Sequence, residues 1–125
     1  MPSKLILIVD DYVGIRSLLK AVLENNGYKV ELAKNGEEAI EKFHKFVPSV
    51  VLLDSKMPGM NGIEVAKKMK VSSPELPIIM ISGWAEQEDI KIAQQKGLIS
   101  YYLTKPFDIN EIIELLHNIL FDEVD

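Results

Sequence analysis

The chain has 125 residues, 47% of them hydrophobic, with 19 acidic and 14 basic side chains for a net charge of −5. Residues 1–125 suit one compact domain burying roughly two-thirds of its unfolded surface, with no room for an output domain, and the charge is the wrong sign for gripping a phosphate backbone. With no cysteine there is neither a disulfide framework nor a thiolate metal site, and no apolar run approaches the ~20 residues of a membrane span, so the expectation is a soluble, cytoplasmic protein whose partners include no nucleic acid and no membrane.

Short apolar runs alternate with segments of helical period, the mark of a parallel α/β sheet. The first strand is read at Leu5–Val9, and Asp10-Asp11 directly after it rule out a signal peptide. A helix follows Gly14, stacks Ile15, Leu18, Leu19, Val22 and Leu23 along one face, and stops at Asn25-Asn26-Gly27. The second strand, Lys29–Ala33, alternates in polarity and reads as an edge. Asn35 with Glu38 three residues on forms a capping-box pattern for a helix burying Ala39, Ile40 and Phe43, with Pro48 marking its exit. The third strand, Val50–Asp54, is apolar from Val50 to Leu53, as suits a strand covered on both faces. A third helix runs from Gly62 to Val71 and stops at Ser72-Ser73-Pro74, before a strand at Pro77–Ile81. The fourth helix, Ala85 to Lys96, offers only Ile90, Ile92 and Ala93 to a core, so it should sit largely exposed as a signalling surface. A last strand at Ser100–Leu103 precedes a helix that begins at Asp108, has Glu111 as capping partner, and turns Ile112, Ile113, Leu116, Ile119 and Leu120 to the sheet. The expected fold is a doubly wound five-stranded parallel sheet, order 2-1-3-4-5, helices on both faces.

Open parallel sheets bind ligands beyond the carboxyl ends of their strands, where strand order reverses. Asp10 and Asp11 follow the first strand, Asp54 ends the third, Ser82 the fourth, and Lys105 follows the fifth. Carboxylates this close repel by about 4 kcal/mol per pair at ~4 Å and an effective dielectric near ~20, so a compact site with three of them wants a cation. All-oxygen ligation in a small site points to Mg²⁺, for which Mn²⁺ can substitute. Lys105 adds a mobile positive charge for a phosphate and Ser82 a hydroxyl donor, so the parts of an acyl-phosphate chemistry are present.

Ile8-Val9-Asp10-Asp11, Leu52-Leu53-Asp54, Met57-Pro58-Gly59-Met60-Asn61-Gly62, Ser82-Gly83 and Thr104-Lys105-Pro106-Phe107 together resemble the receiver domains of response regulators in two-component signalling, over the whole chain. Within that family, Gly14-Ile15-Arg16, Lys56, Gly62-Ile63-Glu64 and Lys105-Pro106-Phe107-Asp108-Ile109 are similar to single-domain receivers of the sporulation phosphorelay type. The resemblance implies Asp54 as phosphoacceptor, Asp11 and Asp54 as direct Mg²⁺ ligands, Asp10 as a ligand or water-bridged neighbour, and the Lys56 carbonyl as a further ligand. It implies Ser82 and Lys105 on the phosphoryl oxygens, a cis bond at Lys105-Pro106, and Tyr102 as the aromatic whose rotamer follows Ser82. The chain departs from the family at Leu98, where most members have alanine, and in doubling the aromatic as Tyr101-Tyr102; strand alternation lets only one of the two face the site, and the count back from Lys105 favours Tyr102.

Gly14, Ile15 and Leu18 are expected on a partner-contact face, with Trp84 and Phe107 completing a rim around Asp54. Lys56, two residues past the acceptor, and Trp84, two past Ser82, are expected to crowd the approach of water and so to lengthen the phosphoryl lifetime. His44 and His117 fall inside helices as ordinary surface or packing residues. The expected function is a signalling phosphoacceptor, not an enzyme in its own right, that takes phosphate from a sensor histidine kinase and passes it to a histidine phosphotransferase. The rival is a module whose phosphorylated surface itself binds a target protein. A haloacid-dehalogenase-like phosphatase would need an acid where Lys56 stands, and a nucleotide hydrolase would need a glycine-rich phosphate loop that the sequence lacks.

Overall fold

The computed structural model describes residues 4–121. Five parallel strands, β1 (Leu5–Val9), β2 (Lys29–Ala33), β3 (Val50–Asp54), β4 (Ile78–Ser82) and β5 (Tyr101–Thr104), pair in the order β2-β1-β3-β4-β5. The helices are α1 (Val13–Asn25), α2 (Gly36–Phe46), α3 (Gly62–Ser72), α4 (Gln87–Gln95) and α5 (Ile109–Phe121), with a 3-10 turn at Trp84–Glu86 before α4. This is the doubly wound architecture expected from the alternation of runs. No helix among the described residues is long and apolar enough to cross a membrane.

Every residue of β3 and β4 is buried because each faces helices on both sides. One apolar layer joins Leu7, Val51, Leu53 and Met80 to Phe43, Val65, Met69 and Ile90 of α2, α3 and α4. The other joins Ile6, Ile8, Leu52 and Ile79 to Leu19, Leu23, Ile112 and Leu116 of α1 and α5. Each fully buried Leu or Ile contributes about 1.5–3 kcal/mol, so the two layers, not the loops, hold the strand ends in place.

The helix ends follow local chemistry. Asn35 Oδ1 accepts the Glu38 amide at 2.8 Å, and the Glu38 carboxylate accepts the Lys34 amide at 2.9 Å, one residue outside the reciprocal partner of a capping box. Asn61 caps α3 in the same way, accepting the Glu64 amide at 3.0 Å. Past α1, Gly27 takes φ +92, a left-handed conformation that glycine adopts without a Cβ penalty. α2 stops at Val47, which sits at φ 47 although β-branched, because the following Pro48 disfavours a continued helical turn.

Several boundaries differ from the sequence expectation: α1 begins at Val13 rather than after Gly14, α3 ends one residue later at Ser72, and three further differences lie near the strand ends. β4 begins at Ile78, not Pro77, since a proline has no amide for the ladder and Pro77 takes part only as acceptor of the Val51 amide at 3.1 Å. β5 shifts with it from Ser100–Leu103 to Tyr101–Thr104, which sets Ser82 opposite Thr104 at the strand ends. The segment expected as one helix from Ala85 to Lys96 opens as the 3-10 turn, and α4 proper starts at Gln87, with Ile90 and Ala93 its only buried residues.

Candidate functional site

Strand order reverses between β1 and β3; the loop leaving β1 carries Asp10 and Asp11, and Asp54 is the last residue of β3. One carboxylate oxygen from each of the three lies within 4.8 Å of the others. Asp10 and Asp54 are buried, each 3% exposed, while Asp11 is open to solvent. The Asp10 amide donates to Ala33 O at 3.1 Å, Asp10 Oδ1 accepts the Tyr12 amide at 2.9 Å, and Arg16 Nη1 donates to Asp10 O at 2.7 Å.

Asp54 Oδ1 accepts Lys105 Nζ at 3.3 Å and the Lys56 amide at 3.4 Å. Both bonds go to Oδ1, so Oδ2 keeps its lone pairs for another partner. Burial, the largest cause, raises the Asp54 carboxyl above its ordinary range, the neighbouring Asp10 charge adds to the rise, and Lys105 opposes it. Asp10 is raised as well, by burial first, against its bond to the Tyr12 amide and the charge of Lys105. Two buried acids held up in this way beside an exposed third are a hard-oxygen donor set short of positive charge, which fits a divalent cation such as Mg²⁺.

The backbone behind Asp54 is fitted closely. A Cβ on Gly62 would stand 2.5 Å from Asp54 O and 2.8 Å from Ser55 Cα, so only glycine lets the first turn of α3 reach this close to the end of β3. Lys105 is aimed by its amide, which donates to Ser82 O at 2.8 Å, and the Lys105–Pro106 peptide is cis, as expected.

A cleft of about 570 Å³ opens over Asp54, with Asp11, Tyr12, Lys56, Glu86 and Lys105 among its walls. Lys56 therefore stands where the sequence placed it. Trp84 does not form the expected wall: it is absent from the cleft lining and 80% exposed, which leaves it free for contact outside the cleft. The physical reason is the 3-10 turn, which turns Glu86 inward instead, its Oε1 accepting Ser55 Oγ at 3.0 Å and the Gly83 amide at 3.3 Å. Ser82 is wholly buried at the end of β4. Tyr102 is half-buried against the α2–α3–α4 layer while Tyr101 is 44% exposed, so the alternation argument separates the pair as expected.

Of the expected rim, Gly14 is exposed, Leu18 is 47% exposed, and Ile15 and Phe107 are half-buried against the α1–α5 layer. Tyr12 and Val13, each 67% exposed beside the cleft, were not anticipated, because two apolar residues between Asp11 and the helix read simply as loop. Glu86 and Gln87 were missed because the sequence put them in the first turn of a largely exposed helix, with nothing to show that they reach back to the ends of β3, β4 and β5.

Comparison with known proteins agrees with this geometry. Residues 6–117 match the family model described as the response regulator receiver domain. The chain is 42% identical over 112 residues to the sporulation initiation phosphotransferase F of Bacillus subtilis, covering 90% of both chains. It is 35% identical to the chemotaxis protein CheY of Thermotoga maritima, covering 94% of this chain and 98% of that one. Among solved structures, a CheY-like response regulator receiver domain protein of Methanospirillum hungatei superposes with a TM-score of 0.90 at 30% identity, covering 97% of this chain and 96% of the other.

Proposed function

This chain belongs to the response regulator receiver domain family, and from that premise we propose that Asp54 accepts a phosphoryl group from the phosphohistidine of a sensor kinase and passes it to a histidine phosphotransferase. The observation that carries the reading is the meeting of three carboxylates within 4.8 Å with a lysine ammonium 3.3 Å from one of them, at the strand ends of the sheet. In transfer, an Asp54 carboxylate oxygen forms the new O–P bond as the P–N bond to the donor imidazole breaks, and the leaving imidazole takes its proton from solvent. Asp10, Asp11 and Asp54, with the Lys56 carbonyl, would hold Mg²⁺, which when bound supplies positive charge to the phosphoryl oxygens. Lys105 follows the incoming oxygens with its ammonium, and the Ser82 hydroxyl donates a hydrogen bond to another of them. Tyr102, on the strand beside Ser82, repacks when Ser82 moves. The protein is a phosphoacceptor that catalyses its own modification, not an enzyme turning over a substrate.

The partner face is the start of α1 with the loops around the cleft: Gly14, Ile15 and Leu18, joined by Tyr12, Val13, Trp84 and Phe107. Exposed apolar side chains beside a polar cleft suit a helical protein partner, whereas the net charge of −5 suits no nucleic acid. Greater identity to the phosphotransferase of Bacillus subtilis than to the chemotaxis protein of Thermotoga maritima supports a relay over a direct binding switch.

The test is labelling by acetyl phosphate with and without Mg²⁺. Label should require the metal, map to Asp54 and vanish in Asp54→Asn; full labelling of the same peptide in that variant ends the proposal. Reversible movement of the label to a histidine phosphotransferase then supports the relay, and phosphorylation-dependent binding without transfer supports the switch.

A further inference from the structure

We infer that Gln87 is a positioning residue that turns the Ser82 hydroxyl proton toward the phosphoryl group at Asp54, an inference that rests on the role proposed above for that site. Gln87 Nε2 stands 3.4 Å from Ser82 Oγ, 3.3 Å from Gly83 O and 3.2 Å from Thr104 Oγ1. A carbonyl oxygen only accepts, so the amide atom facing Gly83 O is the nitrogen, and the orientation of the amide is fixed by that contact. Ser82 and Thr104 therefore both meet a donor. An amide nitrogen has two hydrogens for these three oxygens, so they are shared, and the bonds are long.

A hydroxyl that accepts from Gln87 must send its own proton elsewhere. Ser82 is wholly buried, with Gln87 Nε2 its one side-chain hydrogen-bond partner among the described residues, and it ends the strand in which the preceding Ile81 pairs with Asp54. The next acceptor to arrive beside it is a phosphoryl oxygen on Asp54. Gln87 thus leaves the hydroxyl with a free proton on the side where one is needed, and long shared bonds allow Ser82 to move toward the phosphoryl group at little cost. Thr104, opposite Ser82 across the β4–β5 ladder, anchors the same amide to the strand that leads into Lys105. One side chain at the start of α4 consequently touches the strand ends that carry both phosphoryl-binding residues.

Gln87→Glu keeps the shape and reverses the polarity. An ionised carboxylate only accepts, so the Ser82 proton is drawn to residue 87 and away from the site. Gln87→Met keeps the length and removes the donor. Gln87 is the first residue of α4, where a glutamate is favoured by the helix dipole, so a merely structural role makes Glu harmless and Met the worse change. The positioning role reverses that order.

The experiment measures the initial rate of Asp54 labelling by acetyl phosphate at saturating Mg²⁺ for both variants, alone and combined with Ser82→Ala. Gln87→Glu should slow labelling about tenfold and Gln87→Met about threefold, and neither should slow it further once Ser82 is alanine. Unchanged rates, a larger loss in Met than in Glu, or an effect of Glu that persists without the Ser82 hydroxyl and so reports charge alone, each overturns the inference. Label confined to Asp54 with unaffected Gln87 variants overturns it while leaving the acceptor assignment standing. Label that survives Asp54→Asn removes both.

Discussion

Gly62→Ala tests how closely the acceptor is buttressed. The added Cβ would lie 2.5 Å from Asp54 O and 2.8 Å from Ser55 Cα, where ordinary contact begins at 3.4 Å, so α3 and the end of β3 must part by about 0.9 Å. Both obstructing atoms are backbone, and only the third neighbour, Met80 Sδ at 3.0 Å, can move by rotation. Overpacking of this kind costs about 1–3 kcal/mol, offset by less than about 1 kcal/mol from the better helix propensity of alanine. For a net cost of about 1–2 kcal/mol and a mid-range urea slope of about 2 kcal/mol per molar, the midpoint should fall by roughly 0.5–1 M. The strain falls on the proposed acceptor, so labelling by acetyl phosphate should slow as well. Gly14→Ala is the control: nothing lies within 4 Å of its Cβ, so stability should hold or rise slightly and labelling should not change. A Gly62→Ala protein with an unshifted midpoint and an unchanged labelling rate would refute the claim that this glycine sets the position of Asp54.

Three further outcomes are expected. Lys56→Asn should speed loss of phosphate from Asp54 by about tenfold, or ~1.4 kcal/mol in barrier, because a shorter amide opens the cleft wall and orients water; single-turnover decay after kinase removal measures it, and an unchanged decay removes Lys56 as the barrier to water. Ile15→Ala should slow transfer from the kinase while sparing acetyl phosphate labelling, and equal loss with both donors would mean a damaged fold. Asp10 and Asp54 are raised above 3.8 in the folded chain, so folded protein binds more protons than unfolded between 3.8 and the raised values, and their contribution to stability falls as pH rises through that window. Without metal, Asp54→Asn should therefore raise the Tm most at neutral pH, with the gain shrinking on acidification, and Mg²⁺ should raise the wild-type Tm at neutral pH; thermal melts in EDTA across a pH series would expose the opposite slope if it existed.

The apolar runs made the sheet legible because β3 and β4, covered on both faces, admit almost nothing else. Asp10, Asp11, Asp54, Ser82 and Lys105 were legible because strand ends in a parallel sheet must converge. What escaped was detail set by side-chain direction. Trp84 and Glu86 are two residues apart, and only the 3-10 turn, itself tied by Glu86 to Ser55 and Gly83, decides that the glutamate enters the cleft and the tryptophan leaves it. Gln87 was invisible for a related reason, since its partners come from β4, β5 and the loop between β4 and α4. The later start of β4 turns on a missing proline amide, a local effect that hydrophobic pattern does not register.

The pairing of Lys105 with Asp54 spans 51 residues and joins the third strand of the chain to the loop after the fifth. During synthesis, a chain that has emerged only as far as β4 has its acidic residues but not Lys105, and non-local strand pairing forms late for entropic reasons. The ion pair at Asp54 thus arrives with the last strand. The charge balance of the acidic cluster is in this way tied to closure of the sheet, since the lysine that faces Asp54 is held in place by the strand that joins last in the chain order.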